Sequence, residues 1–371
     1  MIRRLAALAA LLLLAASAFA QVPTPDEYLA QHNLRFTRDF TPWNLILGYY
    51  DELARRSNLV SIERIGATYE NRPLVLLTIT SPKNRAALDQ IRANVTSLAK
   101  GSADANRAAD IAKNGPAIVW LGFGVHGNES SSAEAAMRVA STLLRDEAAT
   151  KLLDDLVVVI DPLQNPDGRE RYIQWFTRTR GAQANTNADA FEHNEPWPGG
   201  RFNHYLIDMN RDWTWLSQRE TQARVAAYQR WYPQVFVDFH EMGYTSSYFF
   251  PPDAAPINVH YPNDIEKWLE TFGRANANEF SQRNWQFFVG ERFDLFYPGY
   301  GDSWPSMNGA VGMTYEVAGH GRGGVAVERE DGSVLTLGDR IDRHFTTAMA
   351  TVRTAAANRE ALLRYTYDAA R

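Results

Sequence analysis

The sequence predicts an α/β fold, a single domain in which helices flank a central, mostly parallel mixed β-sheet. Three short apolar runs have the length and composition of buried strands: residues 117–123, 156–160 and 235–239. Residues 131–145 and 218–231 have helical periodicity and lie between these runs. Strands that alternate with helices are typical of a parallel sheet covered on both faces.

The remaining elements extend this pattern toward both ends of the chain. Before the first buried strand we expect a helix over 43–57, a hairpin of residues 59–68 and 74–79, a helix over 82–101 and a polar surface segment up to 115. After the third strand we expect a helix over 264–283, a strand over 312–317 and one long helix over about 339–364. No repeat or linker divides the 371 residues, so we assign 41–371 to one domain and 21–40 to a lead segment.

The first twenty residues resemble a secretory signal peptide. Arg3 and Arg4 precede an apolar stretch over 5–16, and Ala18-Phe19-Ala20 forms a small-x-small cleavage site. A membrane anchor is the alternative, but the stretch is shorter than the roughly 20 residues that a span requires. We therefore expect a protein exported to a bacterial periplasm or the medium, with no membrane span in the mature chain. The lead segment is too short for a folded pro-domain, so no large propeptide is expected.

The composition excludes several kinds of chemistry. The chain has no cysteine, which excludes disulfides, thiolate metal sites and cysteine nucleophiles. Any metal must therefore be bound by carboxylates and by some of the eight histidines. The formal net charge is −5 and no long run of one sign occurs, so no nucleic acid partner is expected.

Polar clusters follow the predicted strands. His126 and Glu129 follow the first strand, and His240 follows the third. Ligands of α/β sheets bind outside the carboxyl ends of the strands, so these side chains are expected to meet there. Each histidine taken singly is more simply a structural residue, but their joint placement favours a metal site with two imidazoles and one carboxylate. Asp238 or a neighbouring backbone carbonyl would orient one imidazole.

Several motifs together resemble the zinc carboxypeptidases of the carboxypeptidase A type, also called funnelins. They occur in the family's order and run from His126-Gly-Asn-Glu129 through Asn165-Pro-Asp-Gly168, Asp208-Met-Asn210-Arg211 and Asp238-Phe-His240 to the segment 297–316. The resemblance implies one zinc ion (Zn²⁺) bound by His126, Glu129 and His240. It also implies a peptide substrate with a free C-terminal carboxylate.

The resemblance assigns further roles to three residues. Asn210 and Arg211 look like the pair that binds the terminal carboxylate, which a planar guanidinium suits through two parallel hydrogen bonds. A surface salt bridge is the simpler explanation for any arginine. Glu316, in an apolar strand, looks like the general base that takes a proton from water, and a buried ion pair is its alternative.

The family also places an arginine downstream of the Asn165–Gly168 motif to stabilise the oxyanion. Arg171, Arg178 and Arg180 all follow this motif, and the local pattern matches in two registers. We prefer Arg178 for the oxyanion role, with Arg180 next, and otherwise assign Arg180 to substrate binding.

The segment 296–304 resembles the region that carries the family's mobile tyrosine. Tyr297 and Tyr300 are both candidates, and we prefer Tyr300 because glycines flank it and permit loop motion. Asp302 lies near the family's residue at the base of the specificity pocket, where a carboxylate would favour a C-terminal lysine or arginine. A structural aspartate at this position is equally compatible with the pattern.

Three functions fit these observations. The leading hypothesis is an exported zinc metallocarboxypeptidase that releases C-terminal amino acids from peptides. The second is a peptidase that uses the same zinc site on cell-wall (peptidoglycan) peptides, whose substrates also offer a carboxylate. The third is a catalytically inactive module of the same fold that binds peptide or glycan, against which the presence of all three zinc ligands and Glu316 argues.

Overall fold

A seven-stranded mixed β-sheet forms the centre of the protein. The computed structural model describes residues 22–371. The strands of the main sheet are Val60–Ala67 (β1), Pro73–Thr80 (β2), Ala117–Phe123 (β3), Leu156–Asp161 (β4), Val235–Gly243 (β5), Tyr248–Phe249 (β6) and Val311–His320 (β9). They lie in the order β1-β2-β4-β3-β5-β9-β6. Two small sheets pair Ala254–Ile257 (β7) with Asp294–Leu295 (β8), and Ala326–Glu328 (β10) with Val334–Thr336 (β11).

The middle of the main sheet is parallel. Strands β4, β3, β5 and β9 all run in one direction, whereas β1, β2 and β6 are antiparallel to their neighbours. Every residue of β3 and β4 is buried, as expected for strands that helices cover on both faces. The predicted fold class is therefore confirmed.

Helices flank this sheet. They are Pro25–Ala30 (α1), Trp43–Arg56 (α2), Pro82–Ala86 (α3), Leu88–Ala99 (α4), Ala105–Asn114 (α5), Ser131–Arg145 (α6), Glu147–Lys151 (α7), Pro166–Thr179 (α8), Arg219–Trp231 (α9), Ile265–Gln282 (α10), Ser303–Met307 (α11), Leu337–Ala357 (α12) and Arg359–Ala369 (α13). Short 3₁₀ turns include Met209–Arg211, which carries part of the site described below. The amphipathic helices bury their apolar faces against the strands and against each other.

The helices differ from the sequence predictions at three places. The helix expected over 82–101 is two helices, α3 and α4, because Ala87 has a non-helical backbone with φ −107° and ψ 14°. The polar surface segment before residue 115 forms α5, a helix that was not predicted, and the Asp104 side chain caps it by accepting from the Arg107 N–H. The long C-terminal helix is interrupted at Asn358, where α12 ends and α13 begins.

The predicted lead segment contributes to the same core as the rest of the chain. Leu29, Phe36 and Phe40 are buried in that core. The predicted signal peptide lies outside the described residues. The domain boundary at residue 41 stays a prediction. Within residues 22–371 we find no helix long and apolar enough to cross a bilayer.

Two histidines outside the candidate metal site are buried. The ring nitrogens of His193 lie 2.7 Å from the Arg322 carbonyl and 2.5 Å from the Asn185 carbonyl. His344 is fully buried on α12, with Nδ1 2.9 Å from the Tyr248 hydroxyl. Burial lowers the pKa of His344 to about 3, so its imidazole is neutral and structural.

Candidate active site

Two neighbouring strands bring the predicted metal ligands to one edge of the sheet. Strands β3 and β5 are parallel, with Phe123 opposite Phe239. His240 is the next residue of β5 after Phe239, and the loop after β3 carries His126 and Glu129. Parallel strands end at the same edge, so this register places both histidines beyond the two phenylalanines.

The three side chains converge on one point. The Nδ1 atom of His126 lies 2.7 Å from Glu129 Oε1, and the Nδ1 atom of His240 lies 3.0 Å from Glu129 Oε2. The two Nδ1 atoms are 3.3 Å apart. All three side chains are buried, and their ligand atoms lie close enough together to hold one metal ion.

Carboxylates hold the opposite nitrogen of each imidazole. His126 Nε2 lies 3.0 Å from Asp208 Oδ1, and His240 Nε2 lies 3.0 Å from Asp238 Oδ2. A carboxylate on the outer nitrogen fixes the ring orientation and leaves Nδ1 free to bind a metal, as is usual for metal-bound histidine. Two nitrogens and a carboxylate without thiolates form a ligand set that suits zinc.

Close backbone contacts hold the His126 loop in place. The Gly127 N–H donates to the Gly200 carbonyl at 2.9 Å. A Cβ atom on Gly127 would lie 2.0 Å from the Arg169 backbone nitrogen, and one on Gly200 would lie 2.5 Å from the Gly168 carbonyl oxygen. Only glycine fits at these two positions, because any side chain would separate the loops that form the site.

Most of the predicted site residues line one cavity of about 340 Å³. The predicted residues that line it are His126, Glu129, Asn210, Arg211, His240, Tyr300, Asp302 and Glu316. Such a volume is typical of a small-molecule or peptide-end pocket. The sequence motifs, which are up to 190 residues apart (316 − 126), therefore meet at a single concave site.

Glu316 lies on β9, opposite His240 on β5. Its Oε2 atom is buried and accepts no hydrogen bond within the described chain. Burial raises the pKa of Glu316 to about 8; His240 opposes the rise, and Glu129 adds to it. A carboxyl group with a pKa near neutrality beside a metal site is suited to accept and return a proton.

Asn210 and Arg211 lie in the 3₁₀ turn next to His240. The Asp208 side chain begins this turn by accepting from the Asn210 N–H at 2.9 Å. Asn210 accepts from the Gly301 N–H through Oδ1 at 2.7 Å, and its Nδ2 lies 3.3 Å from His240 Nε2. The Arg211 guanidinium forms no ion pair within residues 22–371, and its Nη1 donates to the Asn210 carbonyl at 2.9 Å. It is therefore free to bind an anion in the cavity.

The two candidate tyrosines differ in how firmly they are held. The Tyr300 ring lies 4.5 Å from the Arg211 guanidinium and lines the cavity. The Tyr297 hydroxyl accepts from Trp215 Nε1 at 2.9 Å and donates to the Arg211 carbonyl at 3.0 Å, outside the cavity lining. Trp215 is 74% exposed and Trp213 is fully buried, so only Trp213 packs as an interior residue behind the turn.

The structure does not bring the predicted oxyanion arginines to the cavity. Arg178 is exposed in the last turn of α8. Arg180 forms an ion pair with Asp39 at 2.8 Å, and Arg171 donates to the Gly199 carbonyl at 2.8 Å. None of the three lines the cavity, because α8 leads away from the metal site after Gly168.

Arg201 lies in the cavity instead. Its Nη1 atom is 3.3 Å from Glu129 Oε1 and 3.3 Å from His126 Nδ1. Its Nη2 and Nε atoms donate to Asp208 Oδ2 at 2.9 and 3.2 Å. Sequence reasoning missed this residue, although its place in a glycine-bearing loop seven residues before Asp208 (208 − 201) was a usable signal.

Comparison with known proteins identifies the family and agrees with the fold. The family model described as zinc carboxypeptidase matches residues 46–327. A probable carboxypeptidase 2 of Arthroderma benhamiae is 27% identical over 135 residues, which cover 36% of this chain and 20% of that protein. The match thus spans only a fifth of the length of that curated relative.

Two solved structures show the same fold at low sequence identity. A metallo-carboxypeptidase from Burkholderia cenocepacia is 16% identical with a TM-score of 0.55, over 86% of this chain and 70% of that one. A carboxypeptidase A from Helicoverpa armigera is also 16% identical with a TM-score of 0.55, over 90% of this chain and 79% of that one.

Proposed function

The chain belongs to the zinc carboxypeptidase family, and we propose that it is a zinc metallocarboxypeptidase that hydrolyses the C-terminal peptide bond of peptides. The observation that carries this proposal is the convergence of the His126–Glu129–His240 cluster, Glu316 and an unpaired Arg211 in one cavity. The cluster is suited to bind a metal ion, Glu316 is suited to transfer a proton, and Arg211 is suited to bind a substrate carboxylate.

His126, Glu129 and His240 would hold one zinc ion. When bound, zinc supplies a Lewis acid that makes water acidic enough to be deprotonated near neutral pH and polarises a carbonyl group. The carboxylates of Asp208 and Asp238 support this role, because each fixes the ring of one ligand histidine.

Glu316 acts as the general base and then as the general acid. It takes a proton from the attacking water, and the hydroxide oxygen forms a bond to the scissile carbonyl carbon. The same carboxyl group then returns the proton to the leaving amine as the C–N bond breaks. Its raised pKa supports both transfers, because the group can hold a proton near neutral pH.

Arg201, rather than Arg178 or Arg180, stabilises the oxyanion. Its guanidinium lies against the metal ligand cluster, and two of its nitrogens are fixed by Asp208. A donor that is already oriented stabilises developing negative charge without reorganising during the reaction.

Arg211 binds the free carboxylate of the substrate, and Asn210 assists it. A planar guanidinium forms two parallel hydrogen bonds to a carboxylate, which selects the end of a chain over an internal bond. Tyr300, which lies on this guanidinium, would close over the bound residue, whereas the Tyr297 hydroxyl is held by Trp215 outside the cavity lining.

We further propose that the protein is exported, on the basis of the signal-peptide pattern in residues 1–20. Cell-wall peptides stay a second candidate substrate, because they also carry a carboxylate for Arg211 to bind.

The test combines zinc analysis with hydrolysis of a panel of acyl-dipeptides and muropeptides. We expect one zinc per chain and release of the C-terminal residue, with loss of turnover but not of zinc in Glu316→Gln. His240→Ala should lose stoichiometric zinc. Zinc binding without hydrolysis of any substrate would favour the inactive binding module, and unchanged zinc in His240→Ala would refute the ligand assignment.

A further inference from the structure

Strand β5 extends beyond the end of its neighbour β3 at the metal site. The two strands pair as far as Phe123 and Phe239, and β5 continues to Gly243. The Glu241 N–H therefore faces no strand on that side, and it donates instead to Glu129 Oε2 at 2.9 Å. A backbone amide of the sheet thus holds the carboxylate of a candidate metal ligand.

The side chain of Glu241 holds the same segment a second time. Its Oε1 atom accepts from the Ser131 N–H at 2.7 Å and from the Ser131 hydroxyl. Ser131 is the first residue of α6 and follows closely on Glu129, and Ser130 before it offers this helix no side-chain cap. A carboxylate at the start of a helix satisfies a free N–H and interacts favourably with the helix dipole. Glu241 therefore fixes both the Glu129 carboxylate and the backbone that carries it.

Arg340 on α12 in turn holds Glu241. Its Nη1 atom lies 2.9 Å from Glu241 Oε2 and 3.2 Å from Oε1, and its Nη2 atom donates to the Gly324 carbonyl. The Arg340 and Glu241 side chains are only 1% and 0% exposed. A Cβ atom on Gly319 would lie 2.5 Å from Glu241 Oε2 and 2.6 Å from Arg340 Cδ, so the pair packs directly against β9. The ion pair is thus fixed by α6, α12 and β9 together.

The ion pair lies beside the metal ligands but does not join them. Glu241 lines the cavity and follows His240 directly in β5. Among the described residues, the side chains close enough to share one ion are those of His126, Glu129 and His240. Burying two charges costs free energy that their attraction offsets only in a favourable geometry, and apolar residues of similar volume are often as stable. Stability alone therefore does not explain a buried ion pair at this place, whereas the need to hold Glu129 does.

We propose that Glu241 and Arg340 are a positioning pair, which holds Glu129 in the orientation that binds zinc. Neither residue belongs to the ligand group, so the pair acts through the Glu241 N–H and through the start of α6. This inference rests on the ligand set of the proposed function but not on hydrolysis. Removal of groups that orient a metal ligand typically lowers metal affinity by about 10- to 100-fold.

The double variant Glu241→Met/Arg340→Met tests this proposal. It removes the pair without changing the net charge beside the site, whereas either single substitution would also change the attraction of the site for a cation. Zinc affinity is measured by competition with a chelator, on apo protein whose folding has been checked by circular dichroism. The double variant should bind zinc about 10- to 100-fold more weakly than wild type. Because the apo protein is already folded, a loss of stability alone leaves this affinity unchanged.

Arg359→Met is the matched control. Arg359 donates to the Ala112 and Lys113 carbonyls at 3.0 and 2.9 Å, just before β3 begins and so at the opposite edge of the sheet from the ligands. This variant should lose stability but keep the wild-type zinc affinity. If the double variant does not fold, Arg340→Lys keeps the charge, but its ammonium cannot reproduce both contacts of the guanidinium. Zinc binding should then weaken at least about threefold.

The outcomes separate this inference from the proposed function. Weaker zinc binding in the double variant, with wild-type affinity in Arg359→Met, supports the positioning pair even if no peptide is hydrolysed, a result that would refute the proposed function alone. Wild-type affinity in the double variant, or in Arg340→Lys where that variant replaces it, overturns the inference and leaves the proposed function standing. An equal loss of affinity in Arg359→Met also overturns it, and a wild type that binds no stoichiometric zinc refutes both.

Discussion

Replacing Arg201 with methionine tests which arginine stabilises the oxyanion. The geometry of the site favours Arg201, whereas the sequence motif favoured Arg178. Methionine keeps much of the unbranched aliphatic stem of arginine but removes every hydrogen-bond donor of the guanidinium. The guanidinium lies 3.3 Å from both Glu129 Oε1 and His126 Nδ1, so the variant loses its donor beside the metal ligands. Loss of one oxyanion donor typically lowers kcat by about 10²- to 10³-fold, or about 2.7–4 kcal/mol in the barrier.

The same substitution has a second effect that the assay must separate. Arg201 holds Asp208, which in turn holds His126, so zinc affinity should fall by about 10- to 100-fold. The Arg201 side chain is 29% exposed, so its ion pair with Asp208 contributes at most about 1 kcal/mol to folding. Steady-state kinetics at saturating zinc, with an acyl-dipeptide substrate, should therefore show a lower kcat and a KM within a few-fold of wild type.

Arg178→Met is the matched control. Arg178 is exposed on α8 and lines no part of the cavity, so this variant should keep kcat within about twofold of wild type. If kcat fell about a hundredfold in Arg178→Met and stayed near wild type in Arg201→Met, the assignment of the oxyanion role to Arg201 would be refuted.

Four further predictions follow from other contacts of the site and fold. Arg211→Met should raise KM about 10- to 100-fold with a smaller change in kcat, because charge-assisted hydrogen bonds to the substrate carboxylate are lost; an unchanged KM in steady-state kinetics would contradict this. On its acid side, the pH profile of kcat/KM should fall with an apparent pKa between 4.5, the ordinary value of a glutamate, and about 8. Burial raises the pKa of Glu316, and a bound cation lowers it. An apparent pKa at or below 4.5 would count against Glu316 as the base. Burial favours protonation of Asp39, but Arg35 and Arg180 outweigh this effect and lower its pKa from 3.8 to about 2. Arg180→Met should therefore lower the midpoint of urea unfolding at pH 6. The difference in midpoint between wild type and variant should shrink as the pH falls from 4 toward 2, and a difference that grew would contradict the ion pair. Gly127→Ala should destabilise the fold by about 3 kcal/mol and reduce zinc retention, because its Cβ would collide with the Arg169 backbone; wild-type stability and zinc content would show that the loop can move apart.

The sequence predicted the central sheet well because the relevant signals are local. The apolar runs of β3, β4 and β5 are short, continuous and followed by polar residues, which marks both the strands and the edge where ligands bind. The convergence of His126, Glu129 and His240 follows from that placement together with the parallel pairing of β3 and β5.

The position of Arg201 in the site could not be predicted from local sequence signals. Its loop has no periodic pattern, and its position depends on the contact of Gly127 with Gly200, residues 73 positions apart (200 − 127). The helix α5 was missed for a different reason, because its Ala-, Asn- and Asp-rich sequence resembles a loop unless the Asp104 cap is recognised.

The most direct test of carboxypeptidase activity uses one peptide in two forms, one with a free C-terminal carboxylate and one with a C-terminal amide. Zinc-loaded protein is incubated with each form, and the products are identified by mass spectrometry. Because Arg211 would bind the terminal carboxylate, we expect release of the last residue from the acid and almost none from the amide. Equal release from both forms, or cleavage at internal bonds, would contradict it.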